Sequence, residues 1–335
     1  MFNKLHHAIT VTLILIFISV YTLVPISGNA ENKKGLYQDL FSVNFPNKNE
    51  GWACGRWGTI LHTEDGGLTW VHQQGVTDYT LSSISFVDSK NGWAVGDGGT
   101  ILHTKDGGKS WVKQKSPVPY FLMGVHFANS QKGWIVGERT TILYTEDGGQ
   151  TWQVQFKDKD FILKRVSFCD EHNGWAVGEF GFIYHTDNGG KTWQQQAGEF
   201  KFSEETGEME GGNFLFDVLA INPRTAWVVG IDGYVAKTVD GGATWQKVTN
   251  GIPKTQIFGI SSDKQNTILF GGNALLLVSS DSGKSFSNVK MEPRVTYGWI
   301  YGISLRGNVG FVAVGKGGWI YLSDKLGASW QRVVY

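Results

Sequence analysis

The chain has 335 residues and balances 30 basic against 30 acidic side chains, which leaves no surplus charge for a general nucleic-acid surface. Glycine is abundant at 45 and proline sparse at 7, the balance expected of many short strands joined by tight turns. The length is too great for a typical single core but suits an array whose core is divided among repeats.

The first element is an expected leader. Lys4, His6 and His7 precede an apolar run from Ala8 to Val24, followed by Pro25, Gly28 and Ala30. Small residues at the −3 and −1 places of a cut after Ala30 fit a cleaved secretory signal over residues 1–30, and so an exported protein, periplasmic or extracellular. An uncleaved anchor is the alternative. No cysteine lies near residue 30, which sets a lipoprotein anchor aside.

From there to the end one motif recurs, Thr-x-Asp-x-Gly-x-Thr/Ser-Trp. The clearest copies are Thr63 to Trp70, Thr104 to Trp111, Thr145 to Trp152 and Thr238 to Trp245. Weaker copies lie at Thr186 to Trp193, with Asn188 in the Asp place, at Ser279 to Phe286, and at Ser323 to Trp330, with Lys325 in the Asp place. The closing aromatics step by 41, 41, 41, 52, 41 and 44 residues. A period near forty with strand-like content predicts an all-β, seven-bladed β-propeller of four-stranded antiparallel blades. The expected blades are roughly 36–75, 76–117, 118–157, 158–198, 210–251, 252–291 and 292–335.

Residues 81–114 show the unit. Leu81–Phe86 reads as a first strand, with Ile84 and Phe86 two apart on one face. Gly92–Gly96 is the second strand, Asp97-Gly98-Gly99 a tight turn, Thr100–Thr104 the third strand and Trp111–Gln114 the fourth. The Asp of the motif can accept amide hydrogen bonds within its own turn, and the closing Trp can bury its ring between neighbouring sheets, so the motif itself is structural. The long fifth step predicts an acidic surface loop over residues 196–212, carrying Glu199, Glu204, Glu205, Glu208 and Glu210. No spare strand is evident to zip the ring, so closure is expected from side-chain packing between blades 1 and 7.

Cys54 and Cys169 each replace a small apolar residue of the repeat and are expected to be buried free thiols. His62, His103 and His185 share one repeat position on separate spokes, so they cannot converge on an ion. No metal or other cofactor is expected.

The pattern Gly-Trp-x-Val-Gly … Ile-Leu-His-Thr-x-Asp-Gly-Gly-x-Thr-Trp, clearest over Gly92 to Trp111 and Gly133 to Trp152, resembles the Asp-box class, and within it the photosystem II stability and assembly factor family of cyanobacteria and plastids. The resemblance covers Leu36 to Tyr335. It implies a seven-bladed, non-enzymatic binding factor on the lumenal or periplasmic side, whose client is a protein or peptide such as a membrane-protein assembly intermediate. Membrane association would then come through the client or an uncleaved signal. Family members in photosynthetic hosts carry clustered arginines, whereas the seven here, at 56, 139, 165, 224, 294, 306 and 332, are isolated in sequence. Relatives in non-photosynthetic bacteria imply only a secreted binding propeller.

Asp boxes also occur in glycosidases and lectins, which makes a carbohydrate-active protein the alternative. A glycosidase needs two carboxylates facing across the substrate. The candidates Asp97, Glu138, Glu179, Asp217 and Asp232 are scattered one per blade, mostly in turns.

The turns between second and third strands vary while the frame does not, and variation on a fixed frame is where recognition can reside. Of 14 tryptophans, 11 occupy second strands or Asp boxes; Trp57, Trp299 and Trp319 do not. With Arg56, Tyr297 and Lys316 they are expected to cluster on one face at the seam between blades 1 and 7. The cluster is either a partner-binding site or glue for the seam. Tyr79, Tyr120 and Phe161 share a loop position on the same face and are expected to pack between blades.

Overall fold

A computed structural model describes residues 38–334 apart from 75, 158, 206, 208, 324–326 and 328. The expected leader and Lys325 therefore lie outside the described residues. The rest is a seven-bladed propeller of four-stranded antiparallel sheets, with a fifth strand on blade 7 and a two-stranded hairpin between blades 4 and 5.

The innermost strands are Leu40–Asn44, Leu81–Phe86, Leu122–Phe127, Leu163–Phe168, Leu215–Asn222, Ile257–Ser262 and Ile300–Leu305. Each touches the corresponding strand of the next blade, so together they wall the axis. Their side chains also tie the blades. The Phe86 N–H donates to Asn44 at 2.8 Å, Phe127 N–H to Ser85 at 3.2 Å, and Ala220 N–H to Ser167 at 3.1 Å. Phe45 N–H donates to Ser304 at 3.1 Å, so the joint between blades 7 and 1 uses the same bond as the joints within the chain. Leu40, Val43, Phe45, Ala53, Leu61 and Trp70 of blade 1 pack on Val312, Val314, Ile320 and Leu322 of blade 7. Among the described residues no strand crosses the seam, and packing closes it as expected.

The second-strand tryptophans are the main inter-blade ties. Trp93 has no exposed surface, stacks on His103 of its own blade at 4.6 Å and on Phe127 of the next at 3.5 Å, and donates its Nε1 hydrogen to the Gly148 carbonyl at 3.1 Å. Trp52 repeats this against His62, Phe86 and Gly107. In blades 1 to 4 the glycine before the tryptophan is required by a ring: a Cβ on Gly92 would lie 2.3 Å from Phe86.

The Asp boxes are hydrogen-bonded turns. Asp106 accepts the Ser110 N–H at 2.9 Å, the Ser110 hydroxyl at 2.5 Å and the Thr104 hydroxyl at 2.8 Å, while Thr104 Oγ1 accepts the Gly108 N–H. These bonds to the charged form hold the Asp106 carboxyl down to about 2, and the Thr244 and Thr238 bonds do the same for Asp240. Burial against tryptophan and phenylalanine rings lowers His103 and His126 to about 4.

Both effects point to loss of stability in acid. A group whose folded pKa is depressed stabilises the fold above its unfolded pKa and loses that contribution as pH falls through the folded value. The expected melting temperature is level above about pH 7, declines from about 6.5 toward 4 as the histidines charge, and declines further between about 4 and 2 as the Asp boxes protonate. A pH series of thermal melts checks this; His103→Phe should shrink the upper wave and leave the lower one.

Two expectations are corrected. Residues 196–212 hold a hairpin, Phe200–Phe202 paired with Met209–Gly211, rather than a loop. Phe200 anchors it on Phe161, Phe180 and Phe182, a signal hidden by the glutamates around it. Cys54 is buried, and burial pushes its thiol far up, but Cys169 is only half-buried.

Candidate functional site

In blades 1 to 5 and 7 the turn between second and third strands places two consecutive residues in the left-handed region, and the first of the two varies. Blades 2 and 7 use Gly98 and Gly317 there, but blades 1, 4 and 5 use Trp57 at φ 54°, Phe180 at φ 56° and Asp232 at φ 54°. A bulky side chain in that region costs about 1 kcal/mol where glycine would cost nothing. Trp57 accepts this strain and is 60% exposed, so its ring is not there to fill a core.

At blade 7 the expected residues converge. The Lys316 ammonium lies 4.4 Å from the Tyr297 ring centroid and 5.1 Å from that of Trp299. Tyr297 is 66% exposed. Gly298, at φ 123°, lets the chain cross Trp319, since a Cβ there would sit 2.7 Å from that ring. The Arg332 guanidinium lies 5.3 Å over the other available ring of the group, Trp319, which also packs on the blade 7 core. Arg56 joins from blade 1 through Asp39. That carboxylate pairs with Arg56 at 3.1 Å and accepts the Gly317 N–H at 2.7 Å, pinning the blade 1 and blade 7 turns together. Among the described residues no ring or cation–π contact joins Trp57 to this group. The structure thus brings five of the six residues into one connected group and leaves Trp57 on its own turn.

The second residue of each inner strand had not been singled out, although it too varies between repeats: Phe41, Ser82, Met123, Lys164, Phe216, Phe258 and Tyr301. Four form an aromatic arc. Phe41 meets Tyr301 at 5.1 Å, Tyr301 meets Phe258 at 5.5 Å, and Phe258 meets Phe216 at 5.1 Å. Trp299 touches both Tyr301 at 5.9 Å and Phe258 at 6.4 Å, which makes the arc continuous with the blade 7 group. Burial and the nearby Asp39 charge push the Tyr301 phenol far up, so it is a neutral ring with a hydroxyl.

On the other side the axis is charged. Arg165 of blade 4 pairs with Asp217 of blade 5 at 3.2 Å and donates to Ser83 of blade 2 at 2.9 Å. Asp217 also accepts the Ile260 N–H at 3.0 Å. Glu138 and Glu179 each accept a backbone N–H of their own blade, Phe121 at 3.2 Å and Ile162 at 2.9 Å. Burial raises the Glu179 carboxyl, opposed by Lys164 and aided by Glu138. Asp97 accepts the adjacent Gly98 N–H. The candidate acids at 97, 138, 179 and 217 are thus engaged in holding turns and joints. His62 and His103 stack on Trp52 and Trp93, His185 packs at a tilt on Trp175, and no group of metal-ligating residues forms among the described residues. Of the loop aromatics, Phe161 is buried between blades as expected, Tyr120 lies under Arg139 at 4.6 Å, and Tyr79 is exposed.

A family model described as photosynthesis system II assembly factor YCF48 matches residues 32–118, 112–205 and 199–335. Among solved structures, YCF48 bound to D1 peptide superposes with a TM-score of 0.70 at 20% identity, over 87% of this chain and 94% of that one. YCF48 from Cyanidioschyzon merolae gives 0.69 at 20% identity, over 91% and 98%. The GH74 enzyme of Niastella koreensis gives 0.68 at 14% identity, over 89% of this chain but 54% of its own. At these identities the solved structures show the shared fold. No curated protein matches the chain.

Proposed function

The chain belongs to the YCF48 family of photosystem II assembly factors, whose model spans its repeats from residue 32 to 335, and from that premise we propose that it is a non-enzymatic propeller that holds a peptide segment of a protein client at the blade 6, 7 and 1 rim. The observation that carries this reading is the Lys316 ammonium seated against the Tyr297 and Trp299 rings, continuous with the aromatic arc at the axis. Tryptophan, tyrosine and basic side chains are the usual anchors of protein interfaces. The client we infer is a segment of a photosystem II subunit during assembly, as a D1 peptide is the ligand in the homologous YCF48 structure. With the leader expected over residues 1–30, the protein would act on the lumenal or periplasmic side.

The glue reading has a share of the same residues. Trp299 and Trp319 are half-buried and Arg56 is in the Asp39 clamp, so these contribute to the seam. Tyr297 and Trp57 are mostly exposed and contribute little to packing. That separation makes the test clean. Tyr297→Ala with Lys316→Ala is expected to weaken capture of a synthetic D1 peptide by about tenfold or more while leaving the melting temperature within about 2 °C. Undiminished capture by this double variant would overturn the placement of the site. Trp57→Ala alone reports whether the strained turn belongs to it.

A further inference from the structure

The outer edge of blade 7 is covered by a fifth strand. Lys290–Glu292, in the segment entering that blade, pairs in parallel with Ser329–Val333 and buries its middle side chain, Met291. The fold therefore accepts an added strand at its rim, with an apolar residue flanked by charged ones.

Among the described residues no strand covers the outer edge of blade 2. Its outer strand is Val112–Gln114. Gln114 faces Ile101 across the ladder, as Gln73 faces Ile60 in blade 1 with its N–H on the Ile60 carbonyl. Antiparallel pairs alternate between bonded and non-bonded, so Lys113 turns its own N–H and C=O outward, free for another strand. Beyond it lies a groove of about 610 Å³ lined by Gly98, Gly99, Lys113–Pro119. Pro117 and Pro119 give it an apolar wall, and the Gly99 N–H bond to the Tyr120 carbonyl fixes that wall to the turn. Lys105, Lys109, Lys113 and Lys115 are all exposed, and none forms an ion pair among the described residues. The outer strands of blades 1, 4 and 6 carry no lysine.

We propose that the edge of blade 2 binds an extended acidic segment of a protein partner as a fifth strand, with an apolar side chain against Pro117 and Pro119 between carboxylates paired to Lys113 and Lys115. Main-chain bonds would supply the affinity and the alternating side chains the selectivity, the general mode of strand addition. This surface is separate from the rim of blades 6, 7 and 1 and does not depend on that site.

The probe is a labelled, end-blocked octapeptide of alternating Glu and Val, titrated against the full chain by fluorescence anisotropy. Saturable binding is expected, weakened about tenfold or more by K113E with K115E. Lys113→Pro removes only an outward N–H, which an edge strand tolerates. It should cost at least about tenfold, whereas Lys113→Thr, which removes the charge but keeps the edge, should cost about threefold. Unchanged melting temperatures certify the fold of each variant. Absence of saturable binding, indifference to the charge reversal, or equal losses in the Pro and Thr variants would each overturn the proposal. So would retention on phosphatidylserine vesicles without peptide binding, which would give the lysines to a membrane instead.

Discussion

Trp93→Ala is expected to lower the free energy of unfolding by about 3–5 kcal/mol, among the largest single effects in the molecule. The ring has no exposed surface, fills the space between Phe127 of the next blade and His103 of its own, and bonds the Gly148 carbonyl in the next Asp box. Alanine would leave a cavity walled by two stiff sheets that cannot collapse into it, and cavity size sets the cost. Gln114 also donates to the Gly148 carbonyl at 3.0 Å, so that acceptor keeps one partner and the loss is chiefly packing. Urea denaturation would measure it, and Trp93→Phe should recover more than half. An effect below about 1 kcal/mol would mean that the blades are held elsewhere.

The second large effect lies at the axis. Arg165→Met is expected to cost about 3–5 kcal/mol, because it strands a buried carboxylate. Asp217 would keep its two backbone donors, Val218 and Ile260, but lose the Arg165 charge that opposes its desolvation. Burial already raises that carboxyl, and without Arg165 it rises further. A raised folded pKa stabilises below the unfolded value and loses that contribution as pH rises, so the deficit of the variant relative to wild type should shrink on acidification. Adding Asp217→Asn removes the charge and keeps an acceptor for the Ile260 N–H, and should recover most of the loss at neutral pH. If the double variant is no more stable than Arg165→Met, the ion pair is not what Arg165 contributes.

The ring was legible because its physics repeats. A Thr-x-Asp box needs the Asp for its amides and the glycine for its backbone, so the motif recurs wherever the turn does and the period follows. Side-chain ties that recur were legible for the same reason. Departures from the repeat were legible only when the odd residue was large: Trp57, Trp299 and Trp319 stood out by exclusion, and Tyr297 and Lys316 by adjacency. The aromatic arc did not stand out, because Phe41, Phe216, Phe258 and Tyr301 are ordinary strand residues until the ring brings them together at one height. Nor did the Arg165–Asp217 pair, 52 residues apart in sequence and on neighbouring spokes. The hairpin over 200–211 was masked by its own composition, since glutamates announce solvent while Phe200 does the docking.

One joint has a wider meaning. Ser304 holds Phe45 as Ser85 holds Phe127, so blades 7 and 1 meet at a junction no different in kind from the others. Sequence order is then incidental to the assembled wheel. Circular permutants of residues 38–334, with blades 7 and 1 joined by a flexible tether and new ends opened between other blades, should assemble the same architecture, and differences in their folding rates would reveal which sector assembles first.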